Sequence, residues 1–194
     1  MTMANAQARV DGGATDAILS PAQEALRAEL AGSNINESTF LATDYLNHLN
    51  EAVMMIELVP SAPDLLEEAL TWQPKTYDEH FRNSDLAVAA LACQAYEIAP
   101  ERFRLPFDLT VKAIQRRIAT TLAQLEPLVE AGDQSQIGLI VLSSCKAVQD
   151  LIGVAAAIVN GSERMADCAA GPGPAPAEED ETTMSQSEID ALFG

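Results

Sequence analysis

The stretch FDLTVKAIQRRIATTLAQLEPLV, residues 107–129, decides the fold of this chain. Its large apolar residues recur every three or four positions, which places them on one face of an α-helix. They are Phe107, Val111, Ile114, Ile118, Leu122, Leu125 and Val129. This near-heptad spacing favours packing in a helical bundle or coiled coil.

The flanking sequence has the same helical period. An earlier apolar face consists of Leu41, Tyr45, Leu49, Ala52, Ile56 and Val59. Residues 137–159 read as the last long helix, and Ala131-Gly132-Asp133 separates it from the central one. Prolines 60, 63 and 74 interrupt or kink the first helical region. Because no stretch alternates with the strand period of two, the sequence predicts an all-α fold.

Two long helical arms, residues 38–98 and 107–160, are expected to fold back on each other as a hairpin. The turn is expected near residues 100–106, which include Arg102 and Arg104. Each arm has one apolar stripe, so a lone hairpin has little interior. A second hairpin would bury both stripes, which favours a dimeric four-helix bundle. The alternative is a monomeric bundle of shorter helices broken at the prolines.

Composition divides the chain into four segments. Residues 1–37 are expected to be mostly disordered, although 21–30 can form a short helix before a loop at 32–36. Residues 38–160 are expected to form the helical hairpin. Residues 161–183 are rich in Pro, Gly, Ala and acidic residues, which is typical of a flexible linker. Residues 184–194 form a separate peptide.

The net charge and the cysteines limit the kinds of partner and the cellular compartment that fit this chain. With 29 acidic against 11 basic residues, the formal net charge is −18, which disfavours nucleic acid and favours a basic patch on a partner protein. The three cysteines lack zinc spacing and suit a reducing cytosol. We see no signal peptide, and the longest apolar stretch, near 86–92, is too short to span a bilayer. A cytoplasmic protein without membrane contact is therefore expected.

Enzyme signatures are absent from the sequence. His48 and His80 are far apart and lack metal-ligand spacing, so no metal site and no cofactor of the chain's own is expected. His48 shares a helical stretch with Asp44 and Glu51, which reads as a solvated face.

The last ten residues, SQSEIDALFG, have the features of a partner-binding helix. Ser185 and Glu188 have capping-box spacing, so the first turn can satisfy its own amide donors. Ile189, Leu192 and Phe193 follow at i, i+3 and i+4, which makes one apolar stripe. The alternative is a frayed C-terminus with a chance pattern.

Two motifs resemble those of CheZ-like chemotaxis proteins. The terminal Ser-Gln-x-Glu-Ile-Asp-Ala-Leu is similar to the peptides with which CheZ and the flagellar switch protein FliM bind the response regulator CheY. The segment Gln149-Asp150-Leu151-Ile152-Gly153-Val154 resembles the Gln-Asp-Leu-Thr-Gly-Gln of the CheZ active-site helix. The two motifs are in the CheZ order, so the resemblance extends over nearly the whole chain after residue 38.

The resemblance implies a dimeric four-helix bundle that speeds dephosphorylation of a CheY-type regulator. Asp150 would engage the regulator's active-site lysine. The family's final glutamine would orient the attacking water, and the metal ion belongs to the regulator. Here Val154 holds that glutamine's position, and valine cannot hydrogen-bond water through its side chain.

Helical geometry places Ser143, Lys146 and Asp150 opposite the apolar face of the last helix, with Val154 one turn beyond Asp150. Gln149 lies about 140° from Val154 around that helix. Two main hypotheses follow. The chain is a divergent CheZ-like phosphatase that uses Asp150 and a further polar group; its divergence resembles that of the CheT-type branch, to which the sequence alone does not assign it. Alternatively, it is a non-catalytic adaptor that sequesters regulators or couples them to other chemotaxis proteins. A third reading is a structural helical protein with an incidental tail.

Overall fold

The computed structural model describes residues 19–161. That part of the chain contains seven helices and no strand beyond a single bridge between Ile35 and Ala42, so the all-α prediction is confirmed. In chain order the helices are α1 (Pro21–Leu30), α2 (Tyr45–Leu58), α3 (Leu65–Thr71), α4 (Tyr77–Arg82), α5 (Ala89–Glu97), α6 (Glu101–Ala131) and α7 (Gln134–Val159).

The two long helices, α6 and α7, form an antiparallel hairpin with a very short connection. Gly132 ends α6 in the left-handed conformation, at φ 69°, which glycine adopts without steric penalty. The side chain of Asp133 then caps α7 by accepting a hydrogen bond of 3.1 Å from the Gln136 amide. The break predicted at Ala131-Gly132-Asp133 is therefore the hairpin turn.

The turn predicted near residues 100–106 is wrong. Arg102 and Arg104 lie in the first turns of α6, and Pro106 lies inside that helix. A proline within a helix removes one backbone hydrogen bond. Burial of Phe103 and Phe107 on either side of Pro106 holds the chain helical despite that loss. Tertiary packing therefore overrides the local signal.

The prediction of one long arm over residues 38–98 is also wrong. This region contains four short helices, α2 to α5, and two of its three breaks contain prolines. α2 ends at Leu58, before Pro60 and Pro63, and α4 begins after Pro74. Thr76 starts α4 with a capping box in which Glu79 reciprocates. In helix length, this half of the chain matches the alternative of shorter helices broken at prolines.

The core lies where α2 packs against both α6 and α7. Every member of the predicted stripe of the first helical region is buried, and so is the α6 stripe except Val129, which is partly buried. Thr39 ties the start of this region to the end of α7 through a 2.7 Å hydrogen bond to the Val159 carbonyl. Because α2 and α3 cover the hairpin, the stripes are buried within one chain. A second copy is not needed to bury them.

Helix α7 is more apolar than the sequence reading allowed. Among the helices of residues 19–161, it alone is long and apolar enough to cross a membrane by length and composition, with a mean hydropathy of 1.6. The core helix of a soluble protein passes the same test. One third of its most apolar stretch is buried, and Leu139 and Leu142 are exposed.

Candidate partner-binding surface

A groove runs between α6 and α7 on the surface that α1 to α5 leave open. All its lining residues come from the two hairpin helices, and its volume is about 540 Å³. They are Ala113, Arg116, Arg117 and Thr120 of α6, and Ala147, Asp150 and Leu151 of α7. Three of these residues are small and one is leucine, so two arginines and one aspartate supply all the charges of this lining.

Asp150 is exposed, as the helical geometry predicted, and so are Ser143 and Lys146. Both Asp150 carboxylate oxygens accept hydrogen bonds from the Lys146 ammonium group, at 3.0 and 3.1 Å. The two side chains are 65% and 75% exposed, so this i,i+4 pair contributes only about 0.3–0.5 kcal/mol to folding. A pair this weak can be exchanged for a partner's cation at little cost.

Val154, which holds the position of the family glutamine, is less exposed than the sequence predicted. Val154 is half-buried and packs against the hydrophobic core, so it is not a fully outward residue like Asp150. Gln149 faces another side of α7, where its amide donates a 2.8 Å hydrogen bond to Glu57 of α2. Among residues 19–161, no carboxamide therefore lines the Asp150 groove.

A second groove, of about 470 Å³, lies between α2 and α7 and contains Gln149, Glu57 and Cys145. Burial raises the pKa of the Cys145 thiol to about 11, with a further contribution from the charge of Glu57. Burial also raises the pKa of Cys93. Both cysteines are therefore neutral thiols near pH 7 and poor nucleophiles.

The reading of His48 as part of a solvated face is wrong. His48 is 5% exposed and stacks on Trp72, with ring centroids 4.9 Å apart. Its Nε2–H donates to the Gln73 carbonyl at 3.0 Å, and Trp72 donates back to the His48 carbonyl at 3.2 Å. The fold also brings the ring centroids of His48 and His80 to within 6.0 Å of each other, although the two residues are far apart in the sequence.

Burial lowers the pKa of both histidines, and Lys75 lowers that of His48 further. The two imidazoles are therefore neutral near pH 7. No cluster of three or more potential metal ligands occurs in residues 19–161. The histidine pair packs α2, α3 and α4 together, and neither histidine lines the α6–α7 groove.

The five terminal site residues Ser185, Glu188, Ile189, Leu192 and Phe193 lie outside the described residues. Of the other predicted site residues, Asp150 lies in the groove, and Val154 lies one turn away and is partly buried. No family model, no curated protein and no solved structure matches this chain.

Sequence reasoning missed Arg116 and Arg117, the two positively charged residues that line the groove. A signal for them was present. Residues 109–125 contain Lys112, Arg116 and Arg117 and no acidic residue, which is unusual in a chain of net charge −18. Their position beside Asp150 depends on the hairpin turn at Gly132, which the sequence reading had placed elsewhere.

Proposed function

We propose that this chain is a CheZ-like protein that binds CheY-type response regulators in bacterial chemotaxis. The terminal peptide 184–194 docks on the regulator and raises its local concentration at the helical hairpin. The hairpin then makes a second contact through α7. The observation that carries the proposal is the exposed carboxylate of Asp150 on the open face of a long hairpin helix, held by one weak ion pair.

Two activities fit this binding mode. In the first, the chain promotes dephosphorylation of the regulator's aspartyl phosphate with the regulator's own metal ion. Arg116 or Arg117 then supplies the further polar group, because a guanidinium can stabilise charge on a transferring phosphoryl group. It cannot accept a hydrogen bond from water, so it does not reproduce the role of the glutamine.

In the second activity, the chain is a non-catalytic adaptor that sequesters regulators or couples them to other chemotaxis proteins. The apolar side chain of Val154 and the hydrogen bond of Gln149 to Glu57 favour this activity, since neither residue offers an amide in the groove. Binding is common to both activities, and catalysis separates them. A homodimer and a cytoplasmic location remain part of the proposal.

Decay of the phosphorylated regulator tests the proposal, with wild type, Asp150→Ala and Val154→Gln compared at equal concentration. A phosphatase accelerates decay as wild type, and Asp150→Ala removes the acceleration. An adaptor leaves decay unchanged as wild type, and Val154→Gln raises the rate because a positioned amide can hold water in line. Leu151→Gln is the matched control, since it adds the same amide beside Asp150 at a different angle. If neither Asp150→Ala nor Val154→Gln changes binding or decay, α7 is not the contact.

A further inference from the structure

The α6–α7 groove and the helical surface that borders it are basic in an acidic chain. Residues 109–125 of α6 and the whole of α7 together contain the cations Lys112, Arg116, Arg117 and Lys146 and the single acid Asp150. Four positive charges and one negative charge leave a net charge of +3. The groove at the other end of α6 has the opposite character, since Asp64, Glu67, Glu126 and Glu130 line it.

The three α6 cations nearest the groove make no ion pair within the described part of the chain. Lys112, Arg116 and Arg117 are exposed, and none of them forms a salt bridge to a carboxylate of residues 19–161. Lys146 pairs weakly with Asp150. The surface therefore has charge available for an acidic ligand.

The same chain carries a complementary segment. Glu178, Glu179, Asp180 and Glu181 are four consecutive acids that follow α7 after residues 162–177. Nine residues of helix separate Asp150 from Val159, which is about 14 Å at 1.5 Å per residue. The sequence predicts a flexible linker here, and sixteen flexible residues span about 20–24 Å on average. The linker is therefore long enough to cover the distance back to Asp150, and the tether gives the acidic segment a high effective concentration at the groove.

We propose that the acidic segment 178–181 docks in the α6–α7 groove of its own chain and contacts Lys112, Arg116, Arg117 and Lys146. A segment tethered to the end of α7 reaches these cations without the entropy loss of joining two molecules. The docked segment competes with Asp150 for Lys146. The contact is mainly electrostatic, so added salt weakens it.

This contact deepens the proposed function, on which its consequence for the regulator rests. The peptide 184–194 begins three residues after Glu181. The two segments share one tether, so a docked acidic segment holds the peptide close to Asp150 when a regulator binds. Docking of the acidic segment in the groove can be measured without any regulator. A negative result in that measurement is therefore distinct from a failure of regulator binding.

Carbodiimide cross-linking of the full chain, followed by mass spectrometry, tests the occupancy. The chain has three lysines. Lys112 lies one helical turn before Arg116 and Lys146 is paired with Asp150, so both border the groove, whereas Lys75 lies between α3 and α4 and is the internal control. We expect residues 178–181 to cross-link to Lys112 and Lys146 and not to Lys75. Arg116→Glu should lower the yield roughly fivefold, whereas Arg27→Glu on α1 should leave it unchanged. Equal cross-linking to all three lysines, or none to Lys112 and Lys146, overturns the proposal.

A second variant leaves every described helix intact. Glu178→Gln, Glu179→Gln, Asp180→Asn and Glu181→Gln together neutralise the segment. We expect the amide NMR signals of Arg116, Arg117 and Asp150 to differ between this variant and wild type at low salt, and to converge at high salt. Identical spectra at low salt contradict the proposal. Cross-links between labelled and unlabelled copies would assign the groove to the segment of a second copy and also overturn docking within one chain.

Discussion

Asp150 and His48 are both polar residues, but Asp150 is exposed to solvent and His48 is buried. Asp150 lies on the solvent side of α7, 65% exposed, and is held by one weak pair. His48 is buried, stacked on Trp72 and hydrogen-bonded to the Gln73 carbonyl. The first arrangement leaves a charge available to a partner. The second makes the imidazole part of the core, where its charged form is unfavourable.

The lowered pKa of His48 predicts acid sensitivity. Near pH 7.5 the histidine is neutral both folded and unfolded. As the pH falls through about 6.5, the unfolded chain gains a proton that the folded chain does not, so the free energy of unfolding decreases until the pH drops below the folded pKa. The same direction holds for His80. The slope is at most about 1.4 kcal/mol per pH unit for each histidine.

Urea denaturation between pH 7.5 and 5.5 measures this slope. His48→Gln keeps a donor for the Gln73 carbonyl and removes the titration, so the variant should lose stability less steeply than wild type. Since Lys75, Glu51 and Asp44 also act on the histidine pair, the comparison is made at constant ionic strength. Equal slopes for the two proteins would contradict the assignment.

The individual helices divide into those that the sequence predicts well and those that it does not. The stripe on α6 is found from spacing alone, because Ile114, Ile118 and Leu125 repeat cleanly and are fully buried. The hairpin turn was misplaced, because the prolines near residue 100 are a stronger local signal than the single Gly132. Burial of His48 was missed, since Trp72 reaches it only after α3 folds back on α2. The groove arginines were missed for the same reason, because they meet Asp150 only across the correct turn.

Two glycines of the hairpin predict stability changes of opposite sign. Gly132→Ala should lower the free energy of unfolding by about 1 kcal/mol, because φ is 69° there and alanine is strained in the left-handed region. Gly153→Ala should raise it by about 0.5–1 kcal/mol, because residue 153 is helical and a methyl group there meets nothing within 4 Å. Urea denaturation of both variants measures the pair. A stabilising Gly132→Ala would refute the turn.

For the whole molecule, the buried helical stripes give no reason to expect a dimer, whereas the exposed apolar side chains of the hairpin do. The helical stripes are covered within one chain, which removes the original physical reason for a dimer. Large apolar side chains remain exposed on both hairpin helices, notably Leu109 at 62% and Leu142 at 73%. A second copy that covered the α6–α7 groove would also cover Asp150. A dimer compatible with regulator binding must therefore leave that groove open.

Light scattering tests the dimer directly. We predict a mass of twice 20.7 kDa at micromolar concentration, because the exposed leucines offer apolar surface to a second copy. Leu142→Glu should then shift the mass toward that of the monomer, while Leu86→Glu, outside the hairpin, should not. A stable monomer for the wild type would end the four-helix-bundle proposal and leave regulator binding to one chain.

The central claim is that the chain holds a CheY-type regulator through its terminal peptide, and calorimetric titration of such a regulator tests it most directly. The full chain is compared with a chain that ends at Thr183 and with the triple variant Ile189→Ala, Leu192→Ala, Phe193→Ala. The account predicts binding by the full chain and a large loss in both variants, with each apolar anchor worth about 1–3 kcal/mol and the helical content unchanged. Equal binding by the full and shortened chains, or no binding by the full chain, would contradict the account.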